Sequence, residues 1–245
     1  MRDFNFSKQM TKLGIASLLV FSAGCMSVPT ISVPQAPVEE GVRLAKIDQS
    51  TKAEACRLTG IELAANEKDE HAIAQLEQAR KLDPRIQGVA HHLAVLYDRQ
   101  GRMDAAQREY ELAIRENSDE ANIYNDYGYF LYAKGAYEQA LEQLNQALKC
   151  DSRHSKAHTN LAMVYYSLGQ GEKAFQHFEQ AVGPAAAHHN IGLLELRNGN
   201  QHQAQAHLQK AALADPSLGS AELLASLETN ERSTENPVST VLYEQ

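Results

Sequence analysis

The sequence has no tryptophan, three cysteines, seven prolines and 14 glycines in 245 residues. So few helix breakers leave long stretches free to coil. Those stretches are rich in Ala, Leu, Gln, Glu and Lys, which lose little freedom in a helix, and an all-α fold is the expectation. A glycine-rich phosphate loop, a nucleophile elbow and the paired-histidine helix of zinc proteases are all missing, so neither enzymatic activity nor a cofactor is expected. Basic charge is also short. The 23 Lys and Arg against 31 Asp and Glu argue against a nucleic-acid partner and against adhesion of the protein surface to anionic lipid.

The N-terminus has the form of a secretory signal. Arg2, Lys8 and Lys12 precede an apolar run from Leu13 to Ala23 that is too short to span a bilayer. Ser22-Ala23-Gly24-Cys25 resembles the lipobox of bacterial lipoproteins, with Ser22 where that family prefers Leu. The resemblance implies cleavage after residue 24 and a lipid on Cys25. Met26 in the following position implies sorting to the outer membrane, facing the periplasm. Pro29, Pro34 and Pro37 then mark an extended tether within residues 25–52. Removing residues 1–24 takes three of the 23 basic and one of the 31 acidic residues, leaving a net charge of −10. With Cys25 acylated, Cys56 and Cys150 remain; they lie nearly three repeats apart, beyond bridging reach, and both read as packing residues.

Small residues recur at fixed offsets. Gly60, Ala94, Gly128, Ala162 and Gly192 each stand twelve residues before Ala72, Ala106, Ala140, Ala174 and Ala204, and a further Ala follows seven residues later, at 79, 113, 147, 181 and 211. Between each Ala pair sits a large residue: Leu76, Tyr110, Leu144, Phe178 and Leu208. Two helices pack closely only where small side chains face each other, so the pattern predicts a stack of helical hairpins. Gly101, Gly135, Gly169 and Gly199 fall where first helices should end in a left-handed residue, and Pro84 and Pro216 close second helices. The first unit has Glu67 in the turn-glycine position, and the fourth is four residues short around Gly183-Pro184.

This pattern resembles the tetratricopeptide repeat (TPR) family over residues 53–216. The fold implied is an all-α solenoid of about five helix-turn-helix repeats, starting near 53, 87, 121, 155 and 185. A capping helix is expected over 217–228, and a polar, disordered tail over 229–245.

Ten histidines raise a metal hypothesis, but adjacent pairs such as His91-His92 and His188-His189 diverge on a helix and no zinc-ligand spacing is completed. No metal site is expected. The resemblance instead implies a peptide-binding groove formed by the first helices. Asn125, Tyr129, Tyr132, Lys156, Asn160, Tyr166, His189, Asn190 and Arg197 are its expected residues, a set that is aromatic, amide-bearing and basic within an acidic chain. His92, Asp126, Asn160 and Asn190 occupy the row that in some TPR arrays hydrogen-bonds an extended peptide, and only the last two match. The architecture is similar to small bacterial TPR lipoproteins of pilus assembly. A protein-interaction scaffold of the envelope, binding an extended partner segment, is the implied function; a general periplasmic adaptor and a subunit recruiting a cell-envelope enzyme stay open beside it.

Overall fold

The computed structural model describes residues 48–234, with side chains through Leu227. The expected signal, Cys25, most of the tether and residues 235–245 lie outside the described residues. Within them the chain forms α1 (Gln49–Ala65), α2 (Asp69–Leu82), α3 (Val89–Arg99), α4 (Met103–Glu116), α5 (Ala121–Ala133), α6 (Tyr137–Cys150), α7 (Ser155–Ser167), α8 (Gly171–Val182), α9 (Pro184–Arg197), α10 (Gln201–Ala214), a 3-10 turn (Pro216–Leu218) and α11 (Ser220–Thr234). Consecutive helices pair as α1/α2 through α9/α10, giving five hairpins. α11 packs on α10 as each first helix packs on the second helix before it. It runs six residues past the expected end of the cap. α1 likewise begins four residues early, with Asp48 accepting from the Thr51 N–H at 2.8 Å to cap it.

The small and large residues meet inside each hairpin. A Cβ on Gly60, Gly128 or Gly192 would lie 2.7, 2.6 or 2.8 Å from the Cγ of Leu76, Leu144 or Leu208. Hairpins two and four carry Ala94 and Ala162 in that place, and their large residues are the aromatic Tyr110 and Phe178. Size is therefore matched by pairs. Glycine accompanies a leucine whose branch point crowds the contact, and alanine accompanies a flat ring.

The turn glycines hold left-handed backbone, as at Gly135 (φ 76°). Glu67 keeps the same turn in the first hairpin at φ 58°, a conformation that costs a residue with a Cβ roughly 1–2 kcal/mol. The short fourth unit shows as a second helix of 12 residues where α2, α4, α6 and α10 have 14. Gly183 (φ 83°, ψ 168°) ends α8 and also begins α9. Cys56 packs against the core as expected, whereas Cys150, the last residue of α6, is exposed. That correction follows from position, because a helix's final residue lies past the contact with the neighbouring hairpin. Among the described residues no helix is long and apolar enough to cross a membrane.

Candidate functional site

The face built by α3, α5 and α7 contains a cavity of about 510 Å³. α3 supplies Val95, Asp98 and Arg99, α5 supplies Asn125, Asp126 and Tyr129, and α7 supplies Ser155, Lys156, Thr159 and Asn160; Tyr110 of α4 reaches it from behind. Four of the nine expected groove residues thus share one site. Tyr129 is 46% exposed and Asn125 only 3%.

A chain of polar contacts runs across the three helices. His91 Nε2 lies 2.8 Å from Asp126 Oδ2, Asn125 Nδ2 donates to Asp126 Oδ1 at 3.0 Å, and Asn160 Nδ2 donates to Asn125 Oδ1 at 2.9 Å. Buried amides need such partners. Asn160 is fixed by this bond while its own carbonyl oxygen has no partner among the described residues, so it stands oriented with one acceptor on offer. His92 of the same row donates or accepts nothing toward the groove: its Nδ1–H reaches the Gly88 carbonyl at 2.7 Å, and burial holds its ionisation below the ordinary imidazole value.

The other expected residues lie elsewhere. Tyr132 is half-buried, its ring centroid 6.2 Å from that of Tyr129 and 5.9 Å from that of Tyr137. Tyr166 lines a second cavity of about 330 Å³ with Phe175, His188, Glu195 and His207. Its hydroxyl accepts from Asn198 Nδ2 at 3.2 Å, and burial pushes its ionisation up. Arg197 is exposed beside it, and Asn190 is half-buried. His189 Nδ1 lies 2.7 Å from Ser220 Oγ, a hydroxyl that is itself buried at the start of α11. The capping helix therefore engages His189, which the repeat register alone places in an open groove.

Sequence reasoning passed over Asp98 and Tyr110. The available signals were an Asp at the offset where the other hairpins have Ala64, Tyr132, Tyr166 and Leu196, and a hydroxyl on the one large residue that is a tyrosine. It also passed over two histidine pairs at equivalent places. His158 and His177 in hairpin four, and His188 and His207 in hairpin five, each approach Nδ1 to Nδ1 at 3.0 Å. Among the described residues no group of three or more His, Cys, Asp or Glu is placed to hold a metal ion.

A family model described as a TPR repeat matches residues 128–169, and one described as a tetratricopeptide repeat matches 88–120 and 185–218. Over these residues the chain carries tetratricopeptide repeats, and its five hairpins have the architecture of a protein-interaction scaffold. An uncharacterized protein of Haemophilus influenzae is 33% identical over 94 residues, 38% of this chain and 52% of that one. Type IV pilus assembly protein PilF of Pseudomonas aeruginosa is 29% identical over 115 residues, 46% of each. The chain thus spans about half the length of these two curated relatives. The crystal structure of PilW, a type IV pilus biogenesis factor, superposes with a TM-score of 0.59 at 19% identity, over 74% of this chain and 92% of that one; at that identity the likeness is one of fold.

Proposed function

We propose that this tetratricopeptide solenoid is a non-enzymatic scaffold of the bacterial envelope, holding an extended segment of a partner protein along the face of its first helices and serving assembly of a pilus or a related secretion machine. The observation that carries the reading is the cavity across α3, α5 and α7, where amides fixed by their own hydrogen bonds stand beside an exposed tyrosine. Oriented amides suit a peptide backbone, which presents a donor and an acceptor at each unit, and exposed tyrosines are frequent anchors of binding energy. Likeness to PilF supports the pilus setting. A lipid on Cys25 would hold the array at the outer membrane, facing the periplasm, with residues 26–47 as spacer.

The test is an envelope pull-down with the full chain. Tyr129→Ala combined with Asn160→Ala should lose the partners retained by the parent and by Glu142→Ala on an exposed position of α6, all three having the same helical circular dichroism. A folded double variant that recovers the parent's partners removes the groove from the proposal. The anchor is tested separately: mass spectrometry should find Cys25 acylated at the mature N-terminus, and Cys25→Ser should abolish detergent-phase partitioning.

A further inference from the structure

The floor of the cavity is acidic, although the groove residues singled out by the repeat register are neutral or basic. Tyr110 is 2% exposed, its ring centroid 5.2 Å from that of Tyr127 and 5.4 Å from that of Phe130. It lines the cavity, and among the described residues its hydroxyl has no hydrogen-bond partner. Burial raises the ionisation of that hydroxyl first, and the nearby carboxylates of Asp126 and Asp98 raise it further. Asp98 is half-buried with neither an ion pair nor a side-chain hydrogen bond among the described residues, and burial lifts its carboxyl above the ordinary value.

The cations nearby do not relieve Asp98. Arg99 is paired with Asp69 and also donates to the Ala64 carbonyl. His91 is engaged by Asp126. Lys156 is exposed at the mouth of the cavity and forms no ion pair with either aspartate. A carboxylate partly removed from water with no partner is unfavourable, and a cation delivered to it gains in the same measure.

We infer that the cavity receives one cationic side chain, lysine or arginine, of the bound segment, with Asp98 as its ion-pair partner and the Tyr110 hydroxyl and Asp126 completing the polar floor. The inference rests on the groove reading and adds the chemistry of the partner to it. A phenol hydroxyl can donate to a carboxylate while accepting from an ammonium or guanidinium. The exposed ring of Tyr129 gives a guanidinium a face to lie against, so arginine should bind more tightly than lysine. Lys156 at the mouth disfavours a second basic residue directly beside the first.

Blocked nonapeptides of alternating Gly and Ala with a central Arg, Lys, norleucine or Glu, titrated into the isotope-labelled full chain in detergent, test this by amide chemical shifts. The Arg and Lys peptides should shift Asp98, Tyr110 and Tyr129 saturably, and the norleucine and Glu peptides should not. Asp98→Asn should weaken Arg-peptide binding by about tenfold or more, and Tyr110→Phe by less, as for a lost charge-assisted contact and a lost neutral one. Both substitutions keep the side-chain shape, and a melting temperature at or above the parent's will show that the fold is intact. Equal binding of the Arg peptide by Asp98→Asn and parent overturns the inference. Equal binding of the norleucine or Glu peptide at the same amides overturns it while leaving the groove reading standing, and silence from all four peptides removes both.

Discussion

The central hairpins and the last two use the same template to different ends. In hairpins two and three the large residue Tyr110 lies against Tyr127 and Phe130 of the next unit, and the principal core runs unbroken from Ala72 to Val164. A separate, smaller cluster of Ala162, Ala174, Phe178, Ala187, Ile191 and Leu194 serves hairpins four and five. The contrast is sharpest three residues after the first Ala of the second helix. In hairpin two that residue is Glu109, which receives two hydrogen bonds, 2.8 and 2.6 Å, from Arg80 of the preceding hairpin. In hairpins four and five it is His177 and His207, each turned to a histidine of its own first helix. One position thus ties hairpin two to hairpin one, and in hairpins four and five it ties helix to helix. In a solenoid, where stability is a sum of terms within and between repeats, these are separable contributions.

If the steric template is common to both regions, Gly128→Ala and Gly192→Ala should each cost about 1–3 kcal/mol from overpacking against Leu144 and Leu208, measured by chemical denaturation. Adding Leu144→Phe to Gly128→Ala recreates the pairing of hairpin four and should recover much of the loss. A Gly128→Ala variant as stable as the parent would break the pairing rule.

A smaller effect should separate the regions. Glu109→Gln removes the charge from the link between hairpins one and two and should cost about 1 kcal/mol, given that the pair is only partly shielded from water. Hydrogen exchange should then rise in α2 and α4 and stay unchanged in α8 and α10.

The mildest test is acid. Burial first, and the neighbouring imidazole second, hold His177 and His188 below the ordinary value of 6.5; burial first, with Lys210 second, does so for His207. The unfolded chain therefore binds more protons than the folded one as pH drops through that value. The stabilisation is complete above about pH 6.5 and is lost progressively below it. Exchange in α8 to α10 should accelerate on mild acidification before it does in α4 to α6, and His177→Gln with His207→Gln should flatten the difference. Equal acid sensitivity of both halves would erase the distinction.

Much of the fold was legible because a hairpin's steric needs recur locally. A Gly or Ala opposite Leu76 or Tyr110 and a glycine at four of the five left-handed hairpin turns, Glu67 holding the other, are constraints that a 34-residue register displays openly. The site was legible in part. Asn125, Tyr129, Lys156 and Asn160 converge because they share that register, but Asp98 and the Tyr110 hydroxyl enter the cavity through the placement of three neighbouring helices, which no single repeat specifies. His189 shows the opposite limit. Its offset is that of a groove residue, and only the contact with Ser220 reveals that the cap reaches it.

Gly183 carries a consequence of a mechanical kind. Six residues join α2 to α3, and four join α4 to α5 and α6 to α7, whereas Gly183 alone joins α8 to α9. A longer connection can distribute a rotation over many backbone torsions; a single residue has two. Any swing of the last hairpin and its cap relative to the rest must be absorbed there, at a backbone conformation open in practice to glycine only. The joint is a pivot with almost no slack, so a pull on the C-terminal end is passed to hairpin four as torque and is not taken up by a loop.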